Sequence, residues 1–352
     1  MGQYKDRVTI YEVAKAADVS LATVSRVINN HPNVTEKTKI RVEEAVARLG
    51  YKPSALAQGL ATNRSTNIGI VIPSVNYVYI SNMLSGMADI ATIYGFQSTL
   101  FVTQHSKDEA KVVFEKLITS HVDGAVIYDD QLEEKDIEAL QRFNVPFVTI
   151  NHDAAGKKNI SIILDYESTM VEILKNHLNS EAGKKHPIKF LNIEDSGLMI
   201  GKLYDSVKGF CTENNSPLET ITCADSYHRL YNQMCEYFDK HKEGGYFVCP
   251  RDSHACAVLN AAIEKGLKVP DDVEIVSAIG TKYSYISRPQ LSSLDIDMFE
   301  IGSIAMRLLT KLLKEEDISS PVYRKKATYT SRGSTLCLLY TSPSPRDPKT
   351  SR

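Results

Sequence analysis

The side chains best placed to do chemistry lie between Leu21 and Asn29, in the run Leu21-Ala22-Thr23-Val24-Ser25-Arg26-Val27-Ile28-Asn29. On a helix, Val24, Val27 and Ile28 fall on one stripe, while Leu21, Ala22, Ser25, Arg26 and Asn29 fall on the other. Arg26 stands alone on that second face, one turn beyond Leu21 and Ala22, and its planar fork of donors suits a guanine edge. Leu21 and Ala22 are apolar where a solvated face would carry charge. The chemistry such a face can do is recognition of base edges in a DNA major groove. A plain solvated surface on a helical hairpin is the alternative reading.

The elements around this run must hold it rigidly. Thr9 followed by Glu12 forms a capping box that starts a first helix at Ile10, with Val13, Ala14 and Ala17 on one face. Asp18-Val19 makes a turn, and Ser20 can cap the second helix, which runs to about Asn29. Thr35 is expected to cap a third helix, Glu36 to about Leu49, in which Ile40, Val42, Ala45, Val46 and Leu49 are expected to face the first two, and Gly50 suits its C-terminus. The Pro-led piece that follows, residues 52–61, has helical apolar spacing but is short and contains Gly59. It would be marginal alone, so it is either a helix ordered by a partner or an ordinary linker. Residues 1–65 hold ten Lys or Arg against six Asp or Glu, a net +4 on a chain whose total is −2, which leaves −6 for the rest. A basic head on an acidic body suits phosphate contact by the head alone.

At 352 residues the chain exceeds one average domain. After Arg64 the pattern turns to alternating apolar runs and helical segments. Examples are Ile68–Pro73, Gln97–Val102, Gly124–Tyr128 and Pro146–Ile150, restarting at Lys189–Ile193, Tyr246–Cys249 and Glu274–Ser277. Such alternation predicts parallel sheets covered by helices, in two successive units with a cleft between them. The six cysteines show no Cys-x-x-Cys pair and no Cys/His metal spacing, so they read as reduced thiols, and no metal or cofactor is expected. There is no apolar run long enough to span a membrane and no signal peptide, which points to a cytoplasmic protein. No Gly-x-Ser-x-Gly elbow, phosphate-binding loop or His-Glu-x-x-His motif is present, so no catalytic residues are assigned and an enzyme is not expected.

The pattern T-I-Y-E-V-A-K-A-A-D-V-S-L-A-T-V-S-R-V-I-N, with V-T-E-K-T and L-G-Y-K-P after it, resembles the headpiece of the LacI family of bacterial transcription regulators almost position by position. Within that family the chain is most similar to the catabolite control protein A branch. Ser20-Leu21-Ala22-Thr23, Arg288-Pro289-Gln290-Leu291 and Ile304–Lys311 carry that likeness. The resemblance implies an α/β protein: an all-α helix-turn-helix headpiece with a hinge helix, then a two-lobed periplasmic-binding-protein-like core of parallel sheets. It implies a homodimer on a pseudo-palindromic double-stranded operator. Leu21, Ala22 and Arg26 would contact bases and Thr23, Ser25 and Asn29 phosphates, with Ser54, Ala57 and Leu60 meeting DNA from the hinge. Leu60 would wedge into a central base step and kink the duplex. The family usually has Asn where this chain has Ser54.

The same resemblance divides the chain into a DNA-binding domain at 1–52, a hinge and linker at 53–65, and an effector-binding and dimerisation core at 66–335. The first lobe is expected at about 66–164 and 295–320, the second at about 165–294 and 321–335, with crossings near Leu164–Asp165, Leu294–Asp297 and Ser319–Tyr323. Tyr79 and Asp252 would line the effector cleft. Sugar responders often carry an Arg where this chain has Ser206, and a Gly-Phe-Asp where it has Gly280-Thr281-Lys282, so strong polar anchors for a sugar are missing. Either another small molecule binds there, or the controlling partner docks outside. In the catabolite control branch that partner is the serine-phosphorylated phosphocarrier protein of the sugar phosphotransferase system, and Phe299, Glu300, Arg307 and Lys311 match its docking face. A merely solvated helix face is the alternative. Residues 336–352 read as a non-native tail, since Cys337 to Asp347 looks like a translated sequencing adapter, and disorder is expected there.

Overall fold

The computed structural model describes residues 8–336 except 30, 53–65, 105, 130–132, 154–155, 157, 182, 184 and 194–196. Contacts divide the chain into two units, Met1–Thr66 and Asn67–Arg352. The first contains helices α1 (Ile10–Ala16), α2 (Leu21–Ile28) and α3 (Glu36–Leu49). The Thr9–Glu12 capping box forms as expected: Thr9 N–H donates to Glu12 Oε2 at 2.6 Å, and Glu12 N–H donates to Thr9 Oγ1 at 3.4 Å. Val13, Ala14, Ala17, Val24, Val27, Val42 and Ala45 make a small closed core. Ile40 is the exception to the expected inward face of α3, being 48% exposed. It lies two residues from Val42, about 200° around the helix, so burying Val42 and Ala45 turns Ile40 outward.

The second unit is built on two six-stranded sheets. The first contains β1 (Asn67–Ile72), β2 (Gln97–Val102), β3 (Gly124–Ile127), β4 (Phe147–Ile150), β5 (Asn159–Asp165) and β11 (Val322–Lys326), in the spatial order β11-β5-β4-β3-β1-β2 and wholly parallel. The second contains β6 (Ile188–Ile193), β7 (Leu218–Cys223), β8 (Gly245–Cys249), β9 (Val273–Ser277), β10 (Ser292–Asp295) and β12 (Thr328–Thr330). Its order is β12-β10-β9-β8-β6-β7, with only β12 antiparallel. The central strands read as continuous apolar runs because both faces are covered by helices.

Helices α4 (Val78–Tyr94), α5 (Lys107–Thr119) and α6 (Glu134–Arg142) belong to the first lobe. The second has α7 (Glu167–Leu178), α8 (Leu198–Glu213), α9 (Tyr227–Lys240), α10 (Asp252–Glu264) and the short α11 (Lys282–Ile286). The late helix α12 (Met298–Leu313) packs on α4, β3, β4 and β5, in the first lobe despite its position in the chain. The α4–α12 crossing is very close. A Cβ on Gly86 would lie 2.0 Å from Phe299 O, and one on Gly302 would lie 2.0 Å from Met83 O. Glycine at both positions lets the two backbones approach.

The Thr35 hydroxyl makes no cap hydrogen bond to α3, and two further features differ from the sequence-based expectation. Residues 322–326 pair with β5, from Val322 beside Ser161 to Lys326 beside Asp165, so the third crossing falls at Ala327 rather than near Ser319–Tyr323. The Ser319-Ser320-Pro321 break ends the return from α12 within the first lobe, where Pro321 O accepts from Ser161 N–H at 2.9 Å. Leu336 is tied to the second lobe, since its N–H donates to the buried Glu274 Oε2 at 2.8 Å, so it does not belong with the tail. Residues 337–352 lie outside the described residues.

Candidate nucleic-acid interface and core cleft

Asp18 takes a left-handed backbone, φ 48°, which turns the chain between α1 and α2. Ser20 Oγ then accepts from Thr23 N–H at 3.2 Å and caps α2. From α3, Arg41 and Arg48 reach back to the carbonyls of Asp18 and Ala16 at 3.3 and 3.4 Å, clamping the turn against the third helix. Val24 and Val27 point into the core, leaving Leu21, Ala22, Arg26 and Asn29 exposed and Thr23 and Ser25 half-exposed. The Thr23 hydroxyl shares a hydrogen bond with Ser20, and the Asn29 amide donates to Ser25 Oγ at 3.4 Å. Among the described residues nothing pairs with the Arg26 guanidinium, so its donors remain available to an outside acceptor. The structure thus gathers Leu21, Ala22, Ser25, Arg26 and Asn29 on one outward helix face, with Thr23 half-exposed to the side of it. Ser54, Ala57 and Leu60 lie outside the described residues.

Between the lobes, loops at the carboxyl ends of β1, β7, β8 and β9 meet around a cavity of 190 Å³, the usual place for a ligand in an open α/β sheet. Tyr79 and Asp252 both line it. Both are also engaged by the chain itself. Asp252 is buried, and its Oδ2 accepts from the Thr281 backbone N–H and hydroxyl, each at 2.6 Å, and from Ser284 Oγ at 3.4 Å. Burial pushes its carboxyl above the usual range, against the pull of those hydrogen bonds. Tyr79 is buried, stacked on Tyr77 at 5.4 Å and set edge-on to Tyr128 at 6.2 Å.

Sequence reasoning missed the polar centre of the cleft. Tyr77 donates its hydroxyl to Asp225 Oδ2 at 2.5 Å, and Arg251 Nη1 lies 2.5 Å from the same oxygen. His254 Nε2 lies 3.1 Å from Asp225 Oδ1. The Arg251 guanidinium also sits over the Tyr77 ring, 4.3 Å from its centroid. The ion pair is close but off the line of a hydrogen bond, so Arg251 Nη1 and Nε, like His254 Nδ1, have no hydrogen-bond partner among the described residues although buried. Burial pushes the Asp225 carboxyl up, yet the His254 hydrogen bond and the Arg251 charge outweigh it and hold the group well below the ordinary carboxylate range. Arg251 and His254 had a signal in Pro250-Arg251-Asp252-Ser253-His254, and Tyr77 stands two residues before Tyr79. Asp225 had none, because its partners lie far away in the sequence.

On α12, Phe299, Arg307 and Lys311 are exposed, and Glu300 accepts from Lys325 Nζ at 2.7 Å. Glu300, Arg307 and Lys311 follow one helical stripe. Among the described residues no helix is long and apolar enough to cross a membrane, and no His, Cys, Asp and Glu group could hold a metal ion. The five described cysteines are free, and burial raises the Cys249 and Cys211 thiols.

Residues 9–54 match the model for bacterial regulatory proteins of the lacI family, and residues 207–335 match that for a periplasmic binding protein-like domain. The HTH-type transcriptional regulator pepR1 of Lactobacillus delbrueckii subsp. lactis is 31% identical over 315 residues, 89% of this chain and 93% of that protein. Catabolite control protein A of Priestia megaterium is 32% identical over 320 residues, 90% and 95% of the two chains. Among solved structures, the lac repressor dimer bound to operator and the anti-inducer ONPF has a TM-score of 0.80 at 24% identity, covering 94% of this chain and all (100%) of that one. At that identity the likeness speaks for the fold.

Proposed function

The chain belongs to the LacI family of bacterial regulatory proteins, as a DNA-binding transcription regulator close to the catabolite control protein A type, and on that premise we propose that it binds a pseudo-palindromic operator as a homodimer under the control of a phosphoprotein corepressor. The observation that carries the DNA reading is the exposed α2 face with Arg26 on it, unpaired among the described residues. Leu21, Ala22 and Arg26 read bases in each half-site, while Thr23, Ser25 and Asn29 fix the helix on the phosphates. Residues Ser54, Ala57 and Leu60 form the hinge contact, with Leu60 as the wedge. Movement of the lobes alters the spacing of the two hinge helices and so couples the core to DNA affinity. The protein works in the cytoplasm and catalyses no reaction.

The corepressor is the serine-phosphorylated phosphocarrier protein, docking on Phe299, Glu300, Arg307 and Lys311 of α12. Two exposed cations and an exposed aromatic ring suit a phosphoserine set in an apolar patch. The alternative is a local operon repressor released by a sugar or other small molecule at Tyr79 and Asp252. The internal bonding of both residues favours the docking reading over that one. Operator binding measured alone, with the phosphorylated phosphocarrier protein, and with a sugar panel separates them. Enhancement by the phosphoprotein and not by its unphosphorylated form is expected. Release by a sugar with no response to the phosphoprotein would overturn the corepressor reading.

A further inference from the structure

The cleft contains a polar centre in which the first-lobe side chain Tyr77 meets charged groups of the second lobe. Tyr77 follows β1, whereas Asp225, Arg251 and His254 follow strands of the second sheet, and the Tyr77–Asp225 hydrogen bond spans 148 residues of sequence. Both ends of this bridge are anchored. On the first-lobe side the Tyr77 ring is stacked on Tyr79, which abuts the buried Tyr128. On the second-lobe side Asp225 is held by Arg251 and His254, which are 7% and 1% exposed. The guanidinium grips Tyr77 a second time through its ring face. Hydrogen bonds to a charged acceptor are among the strong ones, although solvent reaches Asp225 and weakens them here.

We infer that Tyr77, Asp225 and Arg251 form a latch that closes the two lobes on each other with the chain's own side chains, Asp225 supplying the negative charge that faces Arg251. The remaining cavity, 190 Å³, is smaller than the roughly 300–1,000 Å³ of ordinary ligand pockets. Arg251 and His254 line that cavity, and Arg251 Nε, Arg251 Nη1 and His254 Nδ1 are buried there without a hydrogen-bond partner among the described residues. The depressed carboxyl of Asp225 agrees with a group that stays charged within the bridge. The latch makes Tyr77 a positioning residue for lobe geometry. It rests on the proposed reading only in that lobe geometry is what the DNA-binding head responds to.

The test is single-molecule energy transfer across the cleft in the full chain. Dyes are placed through Glu115→Cys on α5 and Lys208→Cys on α8, both exposed positions, after Cys235, Cys256 and Cys337 are changed to Ser. Wild type is expected to show one closed population. Tyr77→Phe keeps the ring contacts and removes the hydroxyl, and should shift the open-to-closed ratio about threefold to tenfold toward open. Asp225→Asn should act in the same direction, with circular dichroism showing each variant folded. A wild-type chain that is already open, or a Tyr77→Phe variant as closed as wild type, overturns the latch. Operator affinity is read in parallel. Lobes that open with operator binding unchanged would uphold the latch and refute coupling of the lobes to DNA.

Discussion

Replacing Arg26 by Ala separates a base-reading side chain from a structural one more cleanly than any other change in the headpiece. The guanidinium is exposed and makes no ion pair or hydrogen bond among the described residues, while the α1–α3 core is closed by Val24 and Val27 on the opposite face. Folding stability should therefore change by less than about 0.5 kcal/mol, since a surface helix position is altered and Ala is a good helix former. The cost falls on DNA. A bidentate Arg–guanine contact discriminates against the wrong base by about 1–3 kcal/mol, and two symmetric half-sites double this to about 2–6 kcal/mol. At roughly 1.4 kcal/mol per tenfold, operator affinity should fall by about 30-fold or more. The assay is fluorescence anisotropy on the operator, on operators changed at one base pair per half-site, and on scrambled duplex, each across a salt series. Preference should relax at one base pair per half-site, with scrambled binding and the salt slope nearly unchanged. A uniform loss on every sequence, with the slope reduced by about 1, would place Arg26 on a phosphate and refute the reasoning.

Thr9→Ala removes the capping box of α1 and should cost the headpiece about 0.5–2 kcal/mol in urea unfolding; an unchanged midpoint would deny that box a role. Gly302→Ala places a methyl 2.0 Å from the Met83 carbonyl oxygen, and the overpacking, about 1–3 kcal/mol, should outweigh the gain in helix propensity of about 1 kcal/mol, so the core melts earlier. A later melt would mean that α4 and α12 can move apart freely. Leu60→Ala should reduce DNA bending and specific affinity while sparing salt-dependent non-specific binding, as read by circular permutation gel shift; an unbent wild-type complex would remove the wedge. The pH response of the cleft follows from Asp225, whose folded carboxyl is held below its ordinary value of about 3.9. Its contribution is complete above that value and is lost as pH falls through the depressed one. Lobe separation in the wild type should stay constant from pH 7 down to about pH 4 and widen only below it, whereas opening near pH 6 would exclude Asp225 as the titrating group.

The headpiece was legible because its determinants are local. Capping boxes act over three residues and helical stripes over four, so Thr9, Glu12 and Ser20 could be read off the chain, and the strands after Arg64 declared themselves by apolar runs. Ile40 shows the limit even there. An apolar residue near a stripe is not on it, and only the packing of Val42 and Ala45 set the phase of α3. The third crossing was misplaced for a related reason. Ser319-Ser320-Pro321 marks a break in any fold, but whether the next strand joins β5 or the other lobe depends on a pairing partner about 160 residues away.

The cleft lay furthest from sequence reasoning. Tyr79 and Asp252 do line it, yet Tyr79 is spent on aromatic packing and Asp252 on holding Thr281 and Ser284, while the interlobe bridge belongs to Tyr77, Asp225 and Arg251. What the sequence alone determined about this protein is therefore its regulator class, through the resemblance of its headpiece motifs, and its headpiece helices and alternating sheet architecture, which are written in short-range periodicity and end-capping chemistry. What only the tertiary structure decided is which polar groups find each other across the lobes. Loops at the ends of distant strands converge there, and their side chains pair according to three-dimensional proximity and burial, which no local spacing encodes.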